Sequence, residues 1–314
     1  MANKKIVVIG GGTGIFSVLS GLKNYNVDLS AVVTMADNGG STGILREEFG
    51  ILPPGDVRRA LLALSTTDNK ILSELLNYRF REGVGLKGHT FGNLMLTALE
   101  RLTGSFPRAI DEASKILAVR GRVIPVTLQK LNLCAELEDG SVINGETNID
   151  IPNHDGHLKI KRLWLKPKAK INPVAEEAIY AANAAVIGPG DLYTSIMPNL
   201  LVHGVSEALH KSKAKKVYVT NLMTKFGETN NFRAEDFVNI ITRALNGGSL
   251  DYVLVNNKKP NLERLKKYAE EKAMFVGWDD LPPKPTPILG DFLRPKGFLR
   301  HDPDKLASTI LSLI

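Results

Sequence analysis

The chain has 314 residues, 43% of them hydrophobic and 23% charged, ordinary proportions for a globular protein that exclude a disordered, collagen-like or mini-protein reading. Its one cysteine, Cys134, excludes an internal disulfide and a multi-thiolate zinc site and fits a reducing cytoplasm. Forty basic against 33 acidic residues leave a net charge of +7, which favours an anionic partner. The basic groups, such as Lys166, Lys168, Lys170 and Lys211, Lys213, Lys215, Lys216, are short, dispersed and free of interleaved aromatics; they read as solvated faces and not as a nucleic-acid surface.

The first predicted element is a buried parallel strand, residues 5–9, a β-branched run too short for a signal-peptide core. A helix follows from Gly14, with Ile15, Val18, Leu19 and Leu22 at helical spacing, and 31–34 reads as a second buried strand. Beyond a glycine-rich loop come helices at 55–64, 71–80, 91–102 and, opened by Pro107, up to Leu117. Short alternating segments at 123–128, 134–138, 143–149 and 158–165, with a turn at Asp139, Gly140, form an antiparallel insertion near 122–170. After Pro173 the α/β rhythm resumes, with strands at 184–187, 216–219, 252–255 and 274–276. No stretch approaches the roughly 20 apolar residues of a membrane helix. The expected architecture is one Rossmann-like domain spanning 1–314: a doubly wound, mostly parallel α/β sheet with the small antiparallel insertion. Ligand in such a fold binds along the C-terminal edge of the strands.

Five motifs carry candidate chemistry. Gly10, Gly11, Gly12, Thr13, Gly14 joins strand one to its helix, where backbone N–H groups and the helix dipole favour phosphate; the spacing is not the full dinucleotide fingerprint. After strand two, Asp37, Asn38, Gly39, Gly40, Ser41 and the following Thr42, Gly43 and Arg46 offer a carboxylate for ribose or metal and a flexible wrap for phosphate. Asp37 and Asp56 can share one Mg²⁺ if the loop folds back, although Pro54, Gly55, Asp56 equally suits a helix start. His89 and Asn93, four apart, can share a helical face and touch ligand, or serve as cap and packing. Gly188, Pro189, Gly190, Asp191 forms a second strand-to-helix junction in the other half of the sheet, and Asn221 and Thr224 end a further strand. Arg300 and His301 precede a terminal helix started by Asp302, Pro303, leaving Arg300 free to clamp a diphosphate or a base.

In this order the motifs resemble the bacterial gluconeogenesis factor family, part of the superfamily that contains 2-phospho-L-lactate transferase. The resemblance rests on Gly10 to Gly14, Asp37 to Gly43, Leu52 to Arg58, Gly88 to Asn93, Gly188 to Ser195, Asn221 to Thr224 with Gly227, Glu228, Thr229, and Arg300 to Asp302, and covers nearly the whole chain. It implies a Rossmann-like core, a cytoplasmic location, and binding of UDP-sugars such as UDP-N-acetylglucosamine. It further implies a role in growth on gluconeogenic carbon sources and in cell shape and wall-precursor supply, with a wall-synthesis or signalling protein as partner. The transferase relatives use Mg²⁺ to move a phospholactyl group from a guanosine diphosphate adduct, so a Mg²⁺-dependent transferase is the alternative. A nicotinamide oxidoreductase rests only on the imperfect glycine fingerprint. Relatives carry two aspartates before the paired glycines; here the second is Asn38. A homodimer is expected from base rates alone.

Overall fold

The computed structural model describes residues 3–67, 70–279 and 281–314. Strand β1 (Lys4–Gly10) is buried from Ile6 onward, as a both-faces-covered parallel strand requires. It pairs in parallel with β2 (Val27–Val33), and β2 with β3 (Arg122–Pro125). The antiparallel unit contains β4 (Asn132–Leu137), β5 (Val142–Asn144) and β6 (Ile160–Lys166). The large sheet then continues on the other side of β1 with β7 (Ala184–Ile187), β8 (Lys215–Val219), β9 (Tyr252–Asn256) and β10 (Thr286–Gly290), all parallel. Its order is β10-β9-β8-β7-β1-β2-β3, so the winding reverses between β1 and β7. Open α/β sheets bind ligand at such a reversal, because the two connections leave in opposite directions and a crevice opens between them.

Two packing contacts carry distant segments to this crevice. The Asn172 N–H donates to the Val126 carbonyl (2.8 Å) and its amide to the Pro125 carbonyl (3.0 Å), pinching the stem of the antiparallel unit against the end of β3. At the far end of the chain, Asp302 caps the helix Pro303–Ser312 by accepting from the N–H groups of Asp304 and Lys305. That helix buries Leu306, Ala307 and Ile310 against the helix Gly14–Leu22. The approach is so close that a Cβ on Gly21 would stand 2.1 Å from the Pro303 carbonyl oxygen.

Several elements differ from the sequence expectation. Residues 122–125 belong to the large sheet, so the antiparallel unit draws its strands from 132–166. Of the expected 143–149 strand only residues 143 and 144 pair, in Val142–Asn144; Glu146–Asp150 is a short helix. Residues 274–276 make a single antiparallel bridge, Met223 to Phe275, while the seventh strand of the sheet is β10, which is only partly buried. Gly40–Phe49, read as loop at its start, is helical: Asp37 Oδ1 accepts the Gly39 N–H (2.9 Å), and the helix ends at left-handed Gly50. The helix Lys70–Asn77 stops before Phe80.

Candidate functional site

The turns after β1 and β7 touch. Gly14 opens the helix Gly14–Leu22 directly against the second turn, where a Cβ would lie 2.0 Å from the Pro189 carbonyl oxygen, and Gly190 in turn faces the Gly11 carbonyl. Asn221, at the end of β8, locks this junction by donating its amide to the Gly190 carbonyl (2.8 Å). The mouth between the turns is a cleft of about 920 Å³, at the upper end of the range of small-molecule sites. It is walled by Gly12, Thr13, Gly14 and Ser17 on one side and by Pro189, Gly190, Thr194 and Ser195 on the other. The turns at 10–14 and 37–43 therefore open onto one space.

A carboxylate pair lies at its floor. Asp56, in the first turn of the helix Pro54–Leu64, does not cap that helix; its Oδ1 accepts the Gly12 N–H (2.9 Å) and pairs with Arg59 (3.0 Å). Its Oδ2 stands 2.5 Å from where a Cβ on Gly11 would be, so only glycine admits it. Burial pushes this carboxyl up to about 6, with Asp37 adding to the rise and Arg59 opposing it. Asp37 Oδ2 likewise fills the place of a Gly55 Cβ, at 2.4 Å. Both Oδ2 atoms are without a hydrogen bond from the described residues. Two carboxylate oxygens free of hydrogen bonds on one cleft floor, near enough for Asp37 to raise Asp56, suit a hard cation such as Mg²⁺ when ligand oxygens and water complete its shell. Glu146, across the cleft on the antiparallel unit, is raised to about 8 by burial and by the nearby Asp37, Asp150 and Asp56.

A buried hydrogen-bond chain sets the Gly40–Phe49 helix in place: His89 Nδ1 meets Ser41 Oγ (3.0 Å), Asn93 donates to Ser41 Oγ (3.2 Å), and Arg58 Nε donates to Asn93 Oδ1 (3.0 Å) and also bonds Asn77. All are at most 7% exposed except Asn77. On the opposite wall, Lys225 bonds Asp150 and stands 3.0 Å from Asp191 and 3.1 Å from Glu228. Glu228 also accepts from the Tyr193 N–H (3.2 Å) and Thr194 Oγ1 (3.1 Å). Burial pushes Glu228 up to about 7 against the pull of Lys225. Burial would lower Lys225 too, but the three carboxylates hold it above the ordinary lysine range. These carboxylates have the spacing of a metal site, and the ammonium sits among them. The third wall is C-terminal: the exposed Arg300, and His301, which burial lowers to about 4 despite a hydrogen bond to the Thr220 backbone. Tyr268 Oη accepts the Leu299 N–H (2.9 Å) and steadies the approach to Arg300.

Of the residues singled out in the sequence, Gly12, Thr13, Gly14, Asp37, Gly39, Gly40, Ser41, Asp56, Asn93, Gly190, Asp191, Asn221, Thr224 and Arg300 line this cleft. Five do not. Gly11 and Gly188 lie beneath the turns, the first admitting Asp56 and the second packed on Ile196 and the Val219 carbonyl. His89 is the buried support of Ser41. Asn38 turns away to accept from the N–H and hydroxyl of Thr147 (2.9 and 3.1 Å), so the carboxylate this position lacks is not missing from the cleft floor. Arg46 donates to the Asp37 and Leu131 carbonyls (2.7 and 2.6 Å) and faces a separate pocket. The sequence reading passed over Arg58, Arg59, Arg79, Glu146, Asp150 and Lys225. Arg58 ends the segment Leu52 to Arg58 and Glu228 lies between Gly227 and Thr229, both part of the resemblance, but Glu146 and Asp150 carry no local signal.

The family description of 2-phospho-L-lactate transferase CofD matches residues 6–286. A protein of Nostoc sp. is 46% identical over 98% of this chain and 68% of its own length. Proteins described as gluconeogenesis factors are 43% identical in Halalkalibacterium halodurans, covering 99% of this chain and 97% of that one, and 42% identical in Bacillus subtilis, covering 99% and 98%. The crystal structure of a UPF0052 family member from Bacillus halodurans superposes with a TM-score of 0.93 at 43% identity, covering 99% of both chains.

Proposed function

This chain belongs to the gluconeogenesis factor family, within the wider group described by 2-phospho-L-lactate transferase CofD, and from that premise we propose that it is a binding protein for a nucleoside diphosphate sugar of the UDP-N-acetylglucosamine type. In this reading it works in the cytoplasm and reports wall-precursor status to a wall-synthesis or signalling partner, which links carbon supply to cell shape. The observation that carries the reading is the contact of the two glycine turns at the sheet reversal, opening onto a 920 Å³ cleft with cations on one wall and carboxylates on the floor. The diphosphate rests on the N–H groups at the start of the helix Gly14–Leu22, where the helix dipole is positive. Arg59 and Arg300 neutralise its charge, and the remainder lies along Asn221 and Thr224. Asp37 and Asp56 would hold Mg²⁺, which supplies charge neutralisation of the diphosphate when bound. Calorimetry with UDP-N-acetylglucosamine and Mg²⁺ tests this: saturable binding, weakened about tenfold or more by Arg300→Ala, is expected from loss of a charge-assisted contact. No heat and no thermal shift with any UDP-sugar refutes it.

One observation favours a second reading, a Mg²⁺-dependent transferase acting on a nucleotide-activated small acid. Glu146 lines the cleft across from the acids of the floor, and burial, its largest cause, raises its carboxyl above the ordinary range, the placement and direction a general acid needs. Mass spectrometry of candidate donors incubated with the protein and Mg²⁺ separates the two: turnover abolished by Glu146→Gln supports the transferase, and binding without turnover supports the sensor.

A further inference from the structure

A second pocket, of about 760 Å³, lies behind the 37–43 loop in the seam between the large sheet and the antiparallel unit. Lys130, from the segment after β3, Lys166, at the end of β6, and Arg46 line it; Glu47 is its one acidic side chain. Neither lysine has a carboxylate at ion-pair distance among the described residues. The polar groups between them are directional. Three asparagines line the pocket, and each has its amide oxygen engaged: Asn38 by Thr147 (2.9 Å), Asn132 by Arg46 (3.1 Å) and Asn144 by the Cys134 thiol (3.2 Å). What each retains is its NH₂. Arg46 has its own fork committed to the Asp37 and Leu131 carbonyls, and burial lowers it against the pull of Asp37, Glu47 and Glu146.

Apart from the Glu47 carboxylate, the side-chain functionality left over in this pocket is therefore donor: two ammonium groups from different elements and three amide NH₂ groups, with the residual charge positive. We propose that the pocket is a second binding site, separate from the cleft at the sheet reversal, for a compact phosphate or polyphosphate anion. Point-charge lysines recognise phosphate without the planar match that a carboxylate-binding arginine fork imposes. Amide donors then fix its orientation. Asn38 and Arg46, singled out in the sequence as phosphate ligands, fall here and not in the main cleft.

The test is calorimetric titration of the full chain with inorganic pyrophosphate at constant ionic strength, beside Lys130→Ala/Lys166→Ala, Arg300→Ala and a control pair on an exposed surface, Lys211→Ala/Lys213→Ala. The lysine residues of the pocket are exposed, so their removal leaves the fold intact. A pyrophosphate site weakened about tenfold or more by the first variant, and kept within about twofold in the other two, supports the proposal. No site with that pattern, including a site that both lysine pairs weaken equally, overturns it. UDP-N-acetylglucosamine binding that survives Lys130→Ala/Lys166→Ala shows that the fate of the main cleft is separate.

Discussion

Asp56→Asn isolates the electrostatic cost of the cleft floor. The asparagine keeps the shape and the Oδ1 acceptor for the Gly12 N–H, and it removes a buried charge that repels Asp37. The folded carboxyl sits at about 6 against an ordinary 3.8. A raised carboxyl binds its proton more tightly in the folded state, so its contribution to stability is greatest at low pH and is lost as pH rises from 3.8 to 6. At one pH unit per 1.36 kcal/mol, the cost is about 1 kcal/mol at pH 4.5 and about 3 kcal/mol at pH 7.5. The variant escapes it. Urea unfolding of both proteins in chelator at the two pH values should show the stability difference, variant minus wild type, growing by about 2 kcal/mol toward pH 7.5. Taking the difference cancels other titrations shared by both chains. A difference that stays flat within about 0.5 kcal/mol, or that shrinks as pH rises, refutes the placement of Asp56 as a buried, ionised neighbour of Asp37.

His301 has the opposite sign: with its folded value at about 4 against 6.5, the neutral ring is favoured and stability is lost as pH falls from 6.5 to 4. His301→Gln should therefore flatten the acid side of the unfolding profile by about 3 kcal/mol between pH 7 and pH 4 relative to wild type. Lys225→Met leaves Asp150, Asp191 and Glu228 facing one another, and should lower the stability at pH 8 by about 3 kcal/mol or more, partly recovered at pH 5 as Glu228, raised by burial, takes up its proton. Gly14→Ala places a methyl group 2.0 Å from a backbone oxygen; the two turns must part, and thermal unfolding should show a loss of about 3 kcal/mol together with weakened UDP-sugar binding.

How far the sequence reaches is visible in particular residues. The β-branched run Ile6–Ile9 between charges and glycines can only be a strand buried on both faces, and the glycine turn that follows it is local chemistry; both are read without coordinates. The same holds for Asp302, Pro303 as a helix start. The helix Gly40–Phe49 was hidden because glycine and hydroxyl residues open it, and its support comes from His89 and Asn93, some 50 residues away. β10 was hidden because an edge strand with a proline and partial burial lacks the apolar signature of the interior.

The chain alone determined which turns present backbone donors at a helix start, since glycine content and helix starts are set by neighbours in sequence. It could not determine what faces them. Asn38 and Arg46 sit beside Asp37 in the chain yet point into a different pocket, while Glu146, Asp150 and Arg300 reach the cleft from an inserted unit and from the far terminus. Only the reversal of the sheet between β1 and β7, the pinched stem at Asn172 and the packing of the last helix on Gly21 bring those side chains together. Charges brought together in this way, stripped of water, give Asp56, Glu146 and Glu228 affinities for protons that no free aspartate or glutamate has.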